Sequence, residues 1–273
     1  MPTAIISDVH ANAAALRVVL ADIDRRGLQR IICLGDTVGY GPDPLECVDL
    51  VRSRCAWSLM GNHDYGVLYE PTNFNPGAES AAFWTRDQFD QEPDAQKRAE
   101  RYDFLNHLKV RVQERIGPTG AEPLQNGATG GVGGGIPLLA VHGSPRKPIN
   151  EYIFPDDVSN NPDKLEGLFE RFEGVCIVGH THVPGVFTDE TDFYPPNELG
   201  EAGYRFREGE KAIINVGSVG QPRDLDPRAS YVVMHPTHVE FVRLPYDVDA
   251  TVRKIRAVPQ LPGWLADRLL EGK

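Results

Sequence analysis

The sequence predicts an α/β protein built as a four-layer α-β-β-α sandwich, in which helices flank two mixed β-sheets and a helical cap lies beside them. Three observations lead to this prediction. Strand-like apolar runs alternate with helical patterns at the start of the chain, which is typical of a parallel sheet covered by helices. Short strand-like runs bounded by turn residues fill the second half, which favours antiparallel pairing. Five runs lead directly into Asp, Asn or His, and strand ends are where α/β proteins place their sites.

The first 60 residues alternate strands and helices. Thr3–Ile6 has the pattern of a buried strand, and the apolar residues of Ala11–Arg25 recur at helical spacing. Arg30–Leu34 is a second predicted strand, Pro44–Arg54 a second helix and Ala56–Met60 a short third strand. This β-α-β-α-β order predicts parallel pairing of the three strands.

Two segments interrupt this alternation and are interpreted as the helical cap. Residues 66–116 are rich in aromatic and charged side chains and contain helical patterns near Gly77–Phe89 and Asp94–Leu108. Residues 145–172 form a second cap segment. The glycine-rich stretch Gly117–Gly135 lacks the Lys-Ser or Lys-Thr pair of a phosphate-binding loop, so a flexible loop between two strands is predicted there.

The remaining predicted strands are short. Leu138–Val141 and Val175–Val178 are apolar runs that precede histidines. The others are Pro184–Thr188, Phe193–Pro195, Ala212–Val216, Ser230–His235 and His238–Leu244. Turn residues bound these later runs, which is typical of an antiparallel sheet. We expect residues 1–273 to form a single domain.

Composition and charge narrow the expected partners. The 273 residues are 41% hydrophobic and 25% charged, as in ordinary globular proteins, and their net charge is −11. Because an acidic chain lacks a broad Lys/Arg surface to neutralise phosphates, nucleic acid is not an expected partner. The sequence has neither an apolar run of about 20 residues nor a signal-peptide pattern, so no membrane contact is expected. The four cysteines fit reduced thiols, and we expect a cytoplasmic protein.

Seven side chains with oxygen or nitrogen donors follow the predicted strands. They are Asp8, His10, Asp36, Asn62, His142, His180 and His182. This set is too large for one tetrahedral zinc ion and suits two divalent ions that share a ligand. Asp36 is the natural bridge, because a carboxylate offers two oxygens and a negative charge. Mn²⁺, Zn²⁺ and iron all fit such donors, and two such ions would attract a phosphate.

His63 directly follows the predicted ligand Asn62 and is a candidate proton donor. Asp64 could hydrogen-bond the His63 imidazole and favour its protonated form. Such a donor would protonate the leaving group in a two-metal reaction.

Three more residues are candidates for binding a substrate phosphate. Asn12 lies one alternation beyond His10, and capping of the following helix is the alternative role. Arg146 and Arg223 lie close to the donor segments and could clamp a phosphate, with ordinary salt bridges as the alternative.

As a series, five motifs resemble those of the calcineurin-like metallophosphoesterase superfamily. They are Asp8-Val9-His10, Gly35-Asp36, Gly61-Asn62-His63-Asp64, His142-Gly143 and Gly179-His180-Thr181-His182. The resemblance runs from about Thr3 to His182, and residues 215–220 also resemble the small bacterial phosphodiesterase-like branch of this superfamily.

The resemblance also implies a role for each motif residue. It assigns Asp8, His10, Asp36 and His182 to one metal, and Asp36, Asn62, His142 and His180 to the other. His63 would be the general acid, and Asp64 its orienting partner. The cap segments, which carry no motif, decide the substrate in this superfamily.

The expected activity is that of a metal-dependent phosphoesterase, and we expect a phosphodiesterase acting on a small phosphate ester. A hydroxide that bridges two divalent metals would attack phosphorus, with His63 as general acid. Phosphomonoesterase, protein phosphatase and dinucleoside polyphosphate hydrolase activities remain open on the same site. A non-catalytic binding scaffold is the alternative of another class, although a scaffold has no chemical need for His63 and all seven donors.

Overall fold

Two mixed β-sheets form the centre of the protein. The computed structural model describes residues 1–117, 120–123 and 135–273. The strands are β1 (Thr3–Ile6), β2 (Ile31–Cys33), β3 (Trp57–Ser58), β4 (Arg111–Gly117), β5 (Gly120–Pro123), β6 (Ile136–Val141), β7 (Val175–Val178), β8 (Gly185–Thr188), β9 (Phe193–Tyr194), β10 (Tyr204–Arg205), β11 (Ala212–Asn215), β12 (Ala229–Met234) and β13 (His238–Leu244). The helices are α1 (Ala13–Arg25), α2 (Pro44–Arg54), α3 (Asn62–Leu68), α4 (Pro76–Asp90), α5 (Ala95–Asn106), α6 (Asp157–Asn160), α7 (Pro162–Phe169), α8 (Pro196–Leu199), α9 (Val248–Ala257) and α10 (Gly263–Glu271).

The first sheet has the order β10-β13-β12-β1-β2-β3, and the second has the order β5-β4-β6-β7-β11-β8-β9. Strands β1, β2 and β3 pair in parallel, as predicted, and so do β6, β7 and β11. The strands of the second half were predicted to form an antiparallel sheet of their own. They are instead divided, with β12 and β13 joining β1 and with β8 and β9 joining β11.

Alternation of side chains along the strands produces the four layers. Ala4 and Ile6 of β1 pack against Leu16 of α1 on the outer face of the first sheet. Ile5, between them, joins the core between the two sheets, where it is clustered with Ile177 of β7. The opposite face of the second sheet is covered by α7. The predicted α-β-β-α arrangement is therefore confirmed.

The segment 145–172 contributes to this framework as well as to the surface. Leu165 and Leu168 of α7 are fully buried against Val141 and Cys176 of the second sheet. This helix was predicted as part of the cap, but it forms the outer layer of the sandwich. An amphipathic helix of either kind has the same apolar spacing, so the pattern alone does not separate the two positions.

Helices α4 and α5 confirm the helical patterns of segment 66–116, but its last residues do not belong to a cap. Arg111–Gly117 is strand β4, which pairs antiparallel with β6 and β5. Glu114 is buried there because Arg30 and the indole N–H of Trp57 bind its carboxylate at 2.7 and 2.9 Å. The predicted loop Gly117–Gly135 also contains β5, and its residues 118–119 and 124–134 lie outside the described residues.

Helices α9 and α10 were not predicted. They pack with α4 in an apolar cluster that includes Trp84, Ile255 and Leu265. In the part of the chain that the structure describes, no helix has the length and hydropathy needed to cross a bilayer.

Candidate metal centre

The carboxyl ends of five strands meet where the two sheets adjoin. Strands β1, β2 and β3 lead into Asp8, Asp36 and Asn62, and strands β6 and β7 lead into His142 and His180. Three groups of side chains have donor atoms within 4.8 Å of one another. These groups are Asp8–His10–His182, His10–Asp36–His63 and Asp36–His142–His180. The fold thus brings the six predicted His and Asp donors together, and Asn62 lines the same pocket as His180.

The backbone is strained at five of these donors. They are Asp8, His10, Asp36, His180 and His182, with φ between 46° and 63°. Residues with a side chain rarely adopt this left-handed conformation, and each costs about 1–3 kcal/mol. Loop-to-loop hydrogen bonds hold it, such as Asp8 N–H to Gly35 O at 3.0 Å and His10 N–H to Asp36 O at 2.9 Å. The loops also pack so closely that a Cβ on Gly61 would collide with the Asp36 carboxylate.

Three histidines are oriented by backbone carbonyls. The Nδ1 atom of His10 lies 3.2 Å from Val38 O. That of His142 lies 2.9 Å from Leu34 O, and that of His182 lies 2.5 Å from Gln221 O. A carbonyl oxygen only accepts, so each Nδ1 carries a proton, and in the neutral ring the Nε2 atom then keeps its lone pair. This is the usual way in which proteins aim a histidine Nε2 at a metal.

The first group of donors is arranged around Asp8. The Nε2 atom of His182 lies 3.0 Å from Asp8 Oδ1, and the Nε2 atoms of His10 and His182 are 3.1 Å apart. With both Nδ1 atoms protonated, the two facing nitrogens are acceptors that repel each other. A cation bound between Asp8, His10 and His182 would remove this repulsion, so the donor set fits a metal ion.

Asp36 lies between the first group, Asp8–His10–His182, and the third, Asp36–His142–His180. Its Oδ1 accepts the backbone N–H of His63 at 2.8 Å. Its Oδ2 lies 3.7 Å from His10 Nε2 and 3.4 Å from His142 Nε2. One carboxylate oxygen therefore faces donors of both groups, which is the arrangement that a shared ligand requires.

The third group, Asp36–His142–His180, and the neighbouring Asn62 contain buried side-chain atoms that have no hydrogen-bond partner. Within the described residues, Asn62 Oδ1, His142 Nε2 and His180 Nε2 form no hydrogen bond. A buried polar atom without a partner is costly and calls for a ligand or ion. Carbonyl oxygen, imidazole nitrogen and carboxylate oxygen are donors that suit Mn²⁺, Zn²⁺ or iron.

The electrostatics of the site favour donors without protons. Burial lowers the pKa of His180 to about 3, and the pKa of Asp36 is held well below its usual range by His142 and His63, although burial opposes this. His142 is the exception, because Asp36 overcomes the effect of burial and raises the His142 pKa to about 9. Metal binding would displace the proton that His142 otherwise carries.

His63 belongs to the group His10–Asp36–His63 and is packed among aromatic rings. Its ring centroid is 4.3 Å from Tyr40, 4.6 Å from Phe74 and 4.8 Å from His10. Gly39 has a φ of 89°, and a Cβ there would collide with the His63 imidazole. Ring packing and the hydrogen bond from its backbone N–H thus fix His63, while its Nδ1 has no partner among the described residues.

Asp64 does not make the predicted contact with the His63 imidazole. Its carboxylate accepts the backbone N–H groups of Asp36, Thr37, Val38 and Gly61 at 2.8, 3.0, 3.3 and 3.1 Å. Asp64 is fully buried, and these contacts tie together the loops after β2 and β3. The structure therefore gives Asp64 a role in holding the donor loops.

Asn12 is placed as a helix cap, with no polar atom left for a phosphate. Its Oδ1 accepts Ala15 N–H at 3.2 Å and the Thr251 hydroxyl at 3.0 Å. Its Nδ2 donates to Gly220 O and to the Tyr246 hydroxyl at 2.9 and 3.1 Å. The predicted phosphate contact of Asn12 is thus replaced by the alternative capping role, and α1 begins at residue 13 rather than 11.

The two arginines predicted to bind phosphate differ in their surroundings. Arg146 is paired with the Glu151 carboxylate, at 2.5 Å for the shortest contact, and points its charge there. Arg223 lies over the Tyr40 ring at 5.9 Å and donates to Gln221 Oε1 at 2.9 Å. Its Nε is buried without a partner, and no Asp or Glu of the described residues forms an ion pair with it. Arg223 therefore keeps charge available next to the site.

A pocket of about 660 Å³ opens beside the metal-binding groups. It is lined by Tyr40, Asn62, His63, Tyr65, Glu70, Thr72, Asn73, Phe74, Asn75, Ala78, Val110, Lys147, Pro148, Ile149, Asn150, Tyr152 and His180. Sequence reasoning missed most of these residues. Segment 66–116 is rich in aromatic residues, but no periodicity in its sequence marks which rings face a pocket.

Comparisons with known proteins agree with this geometry. The family model of the calcineurin-like phosphoesterase superfamily domain matches residues 1–238. An uncharacterized protein of Methanocaldococcus jannaschii is 36% identical over 275 residues, which cover 99% of this chain and 98% of that protein. The crystal structure of a metallophosphoesterase from Sphaerobacter thermophilus is 36% identical, with a TM-score of 0.75 over 100% of this chain and 99% of that one.

A more distant structure shows the same fold. A hypothetical protein from Pyrococcus horikoshii OT3 is 16% identical and has a TM-score of 0.69, covering 100% of this chain and 98% of that chain. The family match spans the strands that carry all seven predicted donors. The chain belongs to the calcineurin-like phosphoesterase superfamily.

Proposed function

We propose that this protein hydrolyses phosphate diesters with two divalent metal ions bound at the strand ends. The observation that carries the proposal is the convergence of buried nitrogen and oxygen atoms that face one another at the strand ends. His10 and His182 approach nitrogen to nitrogen at 3.1 Å, and the Nε2 atoms of His142 and His180 have no partner among the described residues. Bound cations satisfy all of these atoms at once.

The donors divide between the two ions in this proposal. Asp8, His10, Asp36 and His182 would hold one ion, and Asp36, Asn62, His142 and His180 would hold the other. Asp36 would be the shared ligand, because its carboxylate faces both His10 and His142. When bound, such ions stabilise charge on the phosphoryl oxygens and lower the pKa of water.

His63 supplies the proton for the leaving oxygen. Its backbone is held by Asp36, and its Nδ1 has no partner within the described chain. Burial lowers the pKa of His63 to about 4, so the ring is neutral at pH 7 in the free site. The negative charge of a bound ester favours the protonated imidazole, which would make His63 an acid only when substrate is present.

The pocket supports a diester over a monoester. A diester carries two substituents on phosphorus, and the pocket beside His63 and His180 has room for a large one, since small-molecule sites measure roughly 300–1,000 Å³. Apart from histidines, its charged lining residues are Lys147 and Glu70. Such a lining offers little extra positive charge for the dianion of a monoester.

The test compares kcat/KM for bis(p-nitrophenyl) phosphate and p-nitrophenyl phosphate with added Mn²⁺. We expect the diester to be the better substrate and a chelator to abolish turnover. His63→Ala should lower kcat/KM by about 10²–10⁴-fold. His107→Ala, which removes an exposed histidine at the end of α5, should change nothing. A monoester preference above tenfold contradicts the diesterase assignment, and no turnover of either ester contradicts the hydrolase.

A further inference from the structure

We propose that the pocket beside the metal centre binds the nucleoside of a nucleotide-containing diester, with the base stacked on aromatic side chains of the pocket walls. This inference rests on the proposed function, since it names the substrate class of the same site. It draws on three features of the pocket: exposed aromatic rings, unpaired side-chain amides and a balanced charge.

Aromatic rings with large exposed areas gather at the pocket. Tyr65 and Tyr152 line it and are 41% and 39% exposed. Each is extended by a second exposed ring, because Tyr69 lies 4.8 Å from Tyr65, and Phe154 lies parallel to Tyr152 at 5.3 Å. Exposed apolar surface that is contiguous with a site marks a place where a ligand binds.

The aromatic surface begins at the proposed catalytic groups. Phe74 packs on His63 at 4.6 Å, and Tyr152 stacks on His180 at 3.8 Å with the two planes 19° apart. These rings come from separate segments of the chain, residues 62–78 and 147–152, which both line the pocket. A phosphate at the metal centre would thus leave its substituent between aromatic walls, where a flat base gains stacking energy.

Amide side chains at the pocket favour a base over a hydrocarbon or a plain aryl group. In the described part of the chain, the side chains of Asn73 and Asn150 form no hydrogen bond, and Asn75 uses only its Oδ1, to cap α4. An amide both donates and accepts, and the edges of nucleobases present the complementary groups. A ligand without such groups would displace water from these exposed amides without replacing its hydrogen bonds.

The charge of the lining argues against a long anionic substituent. Lys147 and Glu70 oppose each other in sign, and the other described lining residues outside the metal centre are neutral. A chain of further phosphates would need several cations along the pocket. A nucleoside, which is flat, neutral and polar at its edges, fits the lining better.

The experiment measures the dissociation constants of adenosine 5′-monophosphate and ribose 5-phosphate by calorimetry on the Mn²⁺-loaded protein. The two ligands share the sugar and the phosphate, so the ratio of their dissociation constants reports the contribution of the base alone. We expect the nucleotide to bind about tenfold tighter or more, from the usual strength of base stacking on aromatic side chains. Tyr65→Ala and Tyr152→Ala should each reduce this ratio at least about threefold, while Tyr152→Phe should keep it.

Phe83→Leu is the matched control, because Phe83 is 40% exposed on α4 and does not line the pocket. It should leave the ratio unchanged, and thermal unfolding checks that every variant is folded. Equal affinity for the two ligands, or a ratio that both alanine variants preserve, overturns the nucleoside assignment. Turnover of bis(p-nitrophenyl) phosphate on the same samples keeps the two proposals apart, because hydrolysis without a base preference contradicts only this inference. A base preference without hydrolysis contradicts only the proposed function.

Discussion

The loops that carry the metal donors and the walls of the adjoining pocket are held in different ways. The donor loops are buried and strained, and backbone hydrogen bonds such as that from Asp8 N–H to Gly35 O connect one loop to the next. The pocket walls, residues 62–78 and 147–152, instead expose rings such as Tyr65 and Tyr152. This difference indicates that the candidate metal centre is fixed within the core, while the adjoining pocket presents side chains that are exposed for contact with a ligand.

Asp64→Ala should have the largest effect on the free energy of unfolding, because the Asp64 carboxylate holds the loops after β2 and β3 together. It would leave four backbone N–H groups without their acceptor, at a cost of about 3 kcal/mol or more in the free energy of unfolding. Thermal and urea unfolding measure the loss. A variant with unchanged stability and reduced turnover would instead support the predicted role of Asp64 as the partner of the His63 imidazole.

Arg223→Ala should have the next largest effect, because Arg223 lies where the donor loops meet the pocket. Its charge has no carboxylate partner among the described residues, and it lies over Tyr40. If Arg223 binds the substrate phosphate, as predicted from the sequence, its loss should lower kcat/KM about 10–100-fold, with stability little changed. Steady-state kinetics on bis(p-nitrophenyl) phosphate measures this change.

Arg146→Ala is the matched control for that variant. Arg146 is an exposed arginine that already pairs with Glu151, and exposed pairs contribute about 0–1 kcal/mol to stability. Its kcat/KM should stay within about twofold of the parent. If Arg146→Ala reduces turnover more than Arg223→Ala does, the assignment of the phosphate contact is wrong.

Asp157→Asn should have a smaller effect than Asp64→Ala or Arg223→Ala, and it acts on the segment that follows the second pocket wall. The Asp157 carboxylate accepts the backbone N–H of Phe154 and the Asn161 amide at 2.8 Å, and Lys164 binds it at 2.5 Å. Burial opposes ionisation, but these partners hold the pKa of Asp157 below its usual value. The substitution should cost about 1–2 kcal/mol at pH 7.

The pH dependence of that difference follows from the lowered pKa. A carboxylate with a depressed folded pKa contributes stability above its unfolded value of about 3.9, and loses it as the pH falls through the folded value. The gap between the parent and Asp157→Asn should therefore be constant from pH 7 to about pH 5 and shrink below pH 4. A gap that grows on acidification would contradict the ionised state of Asp157.

The donor loops were predictable from the sequence because their chemistry restricts the residue types. Asp8, Asp36 and His180 each follow an apolar run that had to be a strand, so their meeting at strand ends followed from the sheet itself. The strained backbone at these residues was not predictable, since a positive φ leaves no mark on an Asp or His. The contacts of Asp64 also depend on how two loops approach each other.

Other features that the sequence did not predict also have physical causes. Strand β4 has Glu114 between Val112 and Ile116, where alternation requires an apolar residue, so its sequence does not mark it as a strand. Glu114 is buried because Arg30 and Trp57, distant in sequence, bind it. Asn12 could serve as a cap or a ligand from its position, and only the approach of Thr251 from α9 decides between them. Tyr152 stacks on His180, a contact between two segments that no local pattern indicates.

Two metal ions at the strand ends, with Asp36 as their shared ligand, are the basis of the proposed function. Metal analysis by mass spectrometry, after equilibration with Mn²⁺ and desalting, tests it most directly. We expect two ions per chain in the parent protein and in His107→Ala, and a loss of both from the folded Asp36→Ala variant. One ion or none in the parent, or two retained by Asp36→Ala, would contradict it.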